Sequence, residues 1–364
     1  MLSNVLYIDS LLFVCYSLAS FGFNRPILFN NMEFFQPVKR KEQFRNNTLK
    51  TNGIRNAFES FIADLPHKYI LWLGRLLGRF MYFADVPHRR IVRRNLKFVF
   101  PEWKPERIKG TSLRIFQNIG MTFIEICQIA CLPKDHLFLR TKVKGKKILL
   151  DAIKGNKGAI LISAHLGNWE IVAPFLSANI STRASMVGRR LRVNLINRLI
   201  SGLRTRFGAT VIDKEEGMPK MMRAIREGKM LGIMLDQGTQ SSMGVKVNFF
   251  DRAVTATHAP ALLALRCRCP VVPIFGVREI DGSLTIIVEP PLKLKRTKDL
   301  KVDLKVNTQL MVSAIEKAVR AYPEQWFWVH KRWKKYYPFL YPEYMARKKR
   351  RRERKARLYN SGKV

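Results

Sequence analysis

The sequence predicts an α/β fold: a mainly parallel central sheet flanked by helices, with a helical, membrane-associating region at the N-terminus. Three observations carry this. From about Val143 onward, short apolar runs alternate with helix-length segments, as in βαβ units. The runs are continuously apolar, as strands covered on both faces are. Ahead of Val143 the texture is helical and rich in aromatic and basic residues. The implied division is an extension at 1–53, a helical membrane-facing region at 54–133, an α/β domain at 134–340 and a basic tail at 341–364.

In chain order, Val5 to Phe23 is apolar except for Asp9 and a few serines. Its length matches the roughly 20 residues that cross a bilayer, and the cations Arg25, Lys39, Arg40 and Lys41 follow it, which would hold the bulk of the chain on the cytoplasmic side. Two readings stand for residues 1–31: a membrane anchor, or a leader ahead of a start at Met32. Leu65 to Ala84 is apolar but interrupted by Lys68, Arg75 and Arg79, with Tyr69, Trp72 and Tyr82 alongside. That mixture suits a helix at the headgroup boundary. Residues 86–131 read as helical, with a PEWKP turn inside and Pro133 as the stop.

Strands are expected at Gly158–Ser163, Ala184–Gly188, Ala209–Ile212, Met230–Leu235, Val271–Phe275 and Leu284–Val288. Helical segments are expected at 146–154, 168–179, 192–207, 217–227, 257–268 and 302–321. The tail, Ala346 to Arg357, is nearly all charge and reads as a solvated, poorly ordered terminus able to rest on anionic lipid.

Lys and Arg number 66 against 27 Asp and Glu, a formal charge of +39. Such a chain is drawn to polyanions: nucleic acid, an anionic membrane surface, or an acidic protein or phosphorylated lipid. A nucleic-acid binder would explain the charge and the tail, but not the apolar 65–84 segment or the motif below, and no DNA or RNA module is present. The five cysteines have no C-x-x-C spacing and read as reduced, mostly buried thiols. H-E-x-x-H and glycine-rich nucleotide loops are absent from the sequence, so no metal is expected.

The motif that carries chemistry is GAILISAHLGNWEIVAPF. A buried strand ends at Ser163, His165 follows, and Glu170 opens the next helix. In open α/β sheets, ligands bind beyond the carboxyl ends of strands. Gly167 lets the chain turn, and Asn168 is placed to cap the helix. Residues five apart on one continuous helix point about 140° from each other, so a strand-to-helix turn is needed to bring His165 and Glu170 together. Glu170, ionised near the helix start, would accept from one imidazole nitrogen while the other takes a proton from a hydroxyl. This is the base and its orienting carboxylate, with the substrate alcohol as nucleophile.

SAHLGNWE resembles the signature of the bacterial lipid A late acyltransferases (lauroyl/myristoyl type), within the wider H-x4-D/E glycerolipid acyltransferase superfamily. The resemblance runs from about Arg55 to Tyr337. It includes Asn95, Leu96, Phe100, Pro101 and Glu102; Arg189 after the strand that follows the motif helix; Asp236, Gln237 and Gly238; Phe249, Phe250, Thr255 and Pro260; and Pro323, Glu324, Gln325, Trp328, His330, Arg332 and Lys334. Asp251 stands where the family often has Gly. The resemblance implies His165 and Glu170 as catalytic residues, with Asn168, Arg189, Asp236, Gln237, Gly238 and Arg332 around the substrate. Arg189 could hold a phosphate or the developing oxyanion. Asp236 could orient Arg189 or the acceptor, or be a turn residue before Gly238. His258 and His330 read as structural, and the block around His330 could meet acceptor phosphates or the bilayer surface.

The resemblance also implies no bound cofactor, an acyl thioester donor on acyl carrier protein or coenzyme A, and a lipid A precursor or related glycolipid as acceptor. The expected location is the cytoplasmic face of the bacterial inner membrane, against an anionic surface and without nucleic acid.

Overall fold

The computed structural model describes residues 65–131, 140–155, 158–180, 184–188, 207–213, 217–239 and 244–360. The expected anchor at Val5–Phe23, the alternative start at Met32, the helix expected at 192–207 (apart from Phe207) and Arg189 lie outside them.

Three helices come first: α1 (His67–Ala84), α2 (Val86–Val99) and α3 (Pro105–Cys131). Asp85 ends α1 and caps α2, accepting from the His88 backbone N–H at 3.1 Å. Helix α1 crosses α3 closely because glycines meet at the crossing. A Cβ at Gly74 or Gly78 would collide with the backbone of α3, and one at Gly120 with that of α1. This buries Ile70, Leu71 and Tyr82 and leaves Tyr69, Trp72, Leu76, Phe80 and Phe83 pointing outward. Among the described residues, no helix is long and apolar enough to cross a membrane.

The sheet has seven strands: β1 (Thr141–Lys144), β2 (Ala159–Ser163), β3 (Ala184–Gly188), β4 (Thr210–Asp213), β5 (Met230–Met234), β8 (Val271–Arg278) and β9 (Leu284–Val288). Their order is β1-β9-β8-β2-β5-β3-β4. All neighbours are parallel except β8 and β9, which form an antiparallel hairpin. The remaining strands, β6 (Gly244–Phe249) and β7 (Arg252–Thr257), make a separate antiparallel ribbon. The helices between are α4 (Lys146–Ala152), α5 (Val172–Asn179), α6 (Gly217–Arg226), α7 (Ala259–Cys267) and α8 (Leu300–Ala321). Every residue of β2 and β8 is buried, which is why their sequences are mostly apolar, with Ser163 and Arg278 at the strand ends. The core joins Leu161, Val272, Ile274 and Ile286 of the sheet to Ile126 and Ile129 of α3 and Phe175 and Leu176 of α5. Helices and sheet belong to one unit running from Pro66.

Strand β1, the β6–β7 ribbon and the basic tail differ from the expectation. The β6–β7 ribbon turns through Phe250 (φ 54) and Asp251 (φ 56), both left-handed, in a position usually marked by Asn-Gly. The ribbon survives this unusual turn because α8 grips it: Glu316 accepts from Phe250 N–H at 2.6 Å, and Gln309 bonds both N–H and C=O of Asn248. The basic tail, expected to be poorly ordered, is helix α9 (Pro342–Asn360). Its Arg, Lys, Glu and Ala residues are good helix formers, and Tyr341, fully buried at its start, donates to Asn95 at 2.7 Å.

Candidate active site

The site follows from strand register. β2 and β5 are parallel neighbours, paired from Ala159↔Met230 to Ser163↔Met234. The ladder continues one step further, Leu235 N–H donating to Ser163 C=O at 3.0 Å. Two residues beyond each paired end stand His165 and Asp236, with the same offset of 71 residues. Both therefore emerge side by side at the carboxyl edge of the sheet.

They are directly bonded. His165 Nδ1 lies 2.9 Å from Asp236 Oδ1 and 3.1 Å from Oδ2, and the His165 backbone N–H donates to Oδ2 at 3.0 Å. Trp326 Nε1 donates to the same Oδ2 at 2.9 Å. The sequence reading gave the orienting carboxylate to Glu170, five residues on. The structure puts Asp236 on Nδ1 instead, because strand register brings it there. Asp236 is thus engaged with both the histidine and the indole. Glu170 lies on a 3₁₀ turn (Trp169–Ile171), is buried, and accepts from Trp169 Nε1 at 3.2 Å.

The loop carrying His165 is clamped from the C-terminal side. Leu166 bridges Trp326 in antiparallel fashion; Phe327 N–H donates to His165 C=O and Gly167 N–H to Gln325 C=O, each at 3.0 Å. Gly167 has φ +56, and a Cβ there would run into the Gly276 carbonyl on β8. Asn168 does not cap the following helix. It is fully buried, and its Nδ2 donates to Glu125 Oε2 at 2.8 Å. Glu125 in turn forms a buried ion pair with Arg278, whose guanidinium also bonds Asn118 and Thr122 of α3. Gln325 closes the network, accepting from Arg278 N–H and donating to Arg278 C=O, both at 2.8 Å. One buried polar cluster thus ties α3, the end of β8 and the loop of His165 together.

The electrostatics fit this arrangement. Burial alone would raise the Asp236 carboxyl, but the facing His165, its hydrogen bonds and the nearby His330 outweigh that and hold it well below the usual carboxylate range. His330 is held well below its ordinary value, first by burial; Asp236 pulls the other way, and His165, Arg332 and Lys334 add to the lowering. Burial lowers Arg332 to about 10, with Asp236 and Tyr341 acting against it. The Arg332 guanidinium is 4% exposed and Nη1 donates to Thr255 C=O at 2.8 Å; Nε and Nη2 make no hydrogen bond with the protein. Gly238 sits against it: a Cβ there would lie 3.3 Å from Nη1.

The His165 ring is walled by Trp169 (centroids 5.2 Å apart), His330 (6.2 Å) and Phe327 (6.4 Å). Gln237 Nε2 lies 3.4 Å from His165 Nε2. An imidazole whose Nδ1 is fixed by an ionised carboxylate exchanges protons with a substrate through Nε2, the geometry of a general base. Among the described residues, no group of three His, Cys, Asp or Glu side chains is assembled to hold a metal ion.

The structure thus brings His165, Asp236 and Gln237 together, with Asn168 and Glu170 beneath and Gly238 beside Arg332. Sequence reasoning missed Trp326, Glu125 and Arg278. In the tryptophan-rich block, Trp326, Trp328 and Trp333 are core, at most 1% exposed.

The family described as "Bacterial lipid A biosynthesis acyltransferase" matches residues 38–335. The chain is 25% identical over 275 residues to the lipid A biosynthesis lauroyltransferase of Escherichia coli, covering 75% of this chain and 88% of the relative. It is 24% identical over 275 residues to a lipid A biosynthesis acyltransferase of Haemophilus influenzae, covering 75% and 84%. A phosphatidylinositol mannoside acyltransferase of Mycolicibacterium smegmatis is 24% identical over 189 residues, 51% of this chain and 60% of the relative.

Proposed function

The chain belongs to the bacterial lipid A biosynthesis acyltransferase family and is an acyltransferase, and from that premise we propose that it moves a fatty acyl group from a thioester to a hydroxyl of a lipid A precursor or related glycolipid. The observation that carries the chemical part is the His165–Asp236 pair at the carboxyl edge of the sheet. His165 Nε2 takes the proton of the acceptor hydroxyl as its oxygen attacks the thioester carbonyl. Asp236 fixes the ring and stabilises the imidazolium that forms. Glu170, the second carboxylate buried in the same loop, adds negative charge that favours the imidazolium through space. On collapse of the tetrahedral intermediate, the imidazolium returns the proton to the departing thiolate.

Substrate binding falls to the rim. Gln237 stands beside the imidazole, and the open donors of Arg332, next to Gly238, suit an oxygen-rich anionic group. Arg189 is kept as a candidate for the same task. The donor is acyl carrier protein or coenzyme A; a charge of +39 would steer the acidic carrier or the cofactor's phosphates alike. The expected setting is the cytoplasmic face of the inner membrane, with the outward aromatic and aliphatic side chains of α1, interleaved with Arg75 and Arg79, lying in the headgroup layer. The test supplies the purified chain with acyl carrier protein and coenzyme A thioesters in parallel, together with lipid A precursor. Mass spectrometry should find the precursor heavier by one acyl chain with at least one donor; no mass gain with either would refute the reading.

A further inference from the structure

A concave site lies among residues that take no part in the His165–Asp236 pair. A groove of about 740 Å³ is walled by Arg93, Arg94 and Lys97 of α2, Lys109 of α3 and Arg252 of β7. Phe98, Ile108 and Leu340 are among the apolar residues that line it, and no Asp or Glu does. Its size suits a small ligand.

These cations are poorly compensated. Among the described residues, Arg94 alone of the five pairs with a carboxylate, Glu343 at 2.9 Å, and Glu343 is already shared with Lys331. Arg93 Nε and Arg252 Nε are both buried with no hydrogen-bond partner. Arg252 lies over the Phe98 ring at 5.1 Å, which holds its head against the apolar wall. Arg93 donates to the Tyr82 hydroxyl at the end of α1. Beside Tyr82, Phe83 is 66% exposed, and beside Leu340, Phe339 is 68% exposed.

We propose that this groove binds the phosphodiester head group of an anionic bilayer phospholipid. The unused donors of Arg93 and Arg252 take the phosphate oxygens, Lys97 and Lys109 supply charge at the mouth, and the first carbons of the acyl chains rest on Phe98, Ile108 and Leu340. A lipid fits better than an acidic protein because the lining mixes apolar side chains with guanidinium heads and because Phe83 and Phe339 project outward nearby. Cations beside exposed aromatics mark a headgroup boundary.

The test uses the full-length chain in detergent and native mass spectrometry, with phosphatidylglycerol and phosphatidylcholine of equal chain length competing. Separate arms offer inorganic phosphate and acyl carrier protein. Phosphatidylglycerol should be retained at least about tenfold over phosphatidylcholine, and less so as salt rises. Arg252→Gln with Lys97→Gln should remove that preference, and Lys109→Glu, at an exposed position, should weaken it without touching the fold. Free phosphate should compete poorly. Turnover on detergent-dispersed acceptor should be unchanged in these variants, so the outcome is independent of the role given to His165. Equal retention of the two lipids, full retention of phosphatidylglycerol by folded variants, or variants that lose carrier-protein affinity but keep the lipid would overturn the proposal; the last would make the groove a dock for an acidic protein.

Discussion

The carboxylate of Asp236 holds His165 at two points, accepting from its backbone N–H through Oδ2 at 3.0 Å and facing Nδ1 through Oδ1 at 2.9 Å. One residue thereby fixes both where the loop leaves the sheet and how the imidazole is turned. Asp236→Asn keeps the shape but removes the charge that stabilises an imidazolium. We expect turnover to fall by about 10²–10⁴ with little change in KM, measured by initial rates of acyl transfer. A loss confined to KM would show that Asp236 serves binding instead.

The Glu125–Arg278 pair lies under the loop, both side chains at most 5% exposed. Breaking it alone, as Glu125→Gln or Arg278→Met, should destabilise the fold by about 3–5 kcal/mol, because a buried charge is left without its partner. The double variant Glu125→Gln with Arg278→Met should lose less than the sum of the single losses. Urea unfolding of the four proteins reads this directly, and strictly additive losses would contradict it.

Gly167→Ala introduces a Cβ at φ +56 against the Gly276 carbonyl. The expected strain is about 1–3 kcal/mol. Because the same backbone places His165, kcat should drop together with the melting temperature. Full activity with an unchanged melting temperature would mean that the loop is looser than described.

His330 supplies a pH test of stability. Its folded value lies well below the ordinary one, whereas the unfolded chain takes up the proton near pH 6.5. Below that pH the unfolded state binds more protons, so stability present above about pH 6.5 is lost as the solution is acidified. Asp236 opposes this shift, while His165, Arg332 and Lys334 reinforce it. Denaturant midpoints between pH 8 and pH 5 should fall more steeply for the wild type than for His330→Asn; parallel curves would remove His330 as the cause.

The parallel sheet was legible because β2, β5 and β8 are short apolar runs separated by helix-length segments, and His165 stood out at a strand end. The identity of its orienting carboxylate was not legible. Local spacing offers Glu170, five residues away, whereas Asp236 is reached only through the adjacency of β2 and β5, a long-range fact that no local pattern encodes. The same holds for Glu125 and Arg278, which no local spacing connects and only the fold brings together. The β6–β7 ribbon was hidden because Phe250 and Asp251 fill a turn without glycine, its stability coming from Glu316 and Gln309 on α8. Asn168 read as a cap by residue type, but the buried Glu125 draws its side chain inward.

The central claim is that the imidazole of His165 carries the proton in acyl transfer. Its most direct test is the initial rate of the purified full-length His165→Ala variant on lipid acceptor and acyl thioester, beside the wild type and with matched melting curves. A fall of about 10²–10⁴ in turnover with the melting temperature retained is the predicted result. A folded variant working at close to the wild-type rate would contradict it.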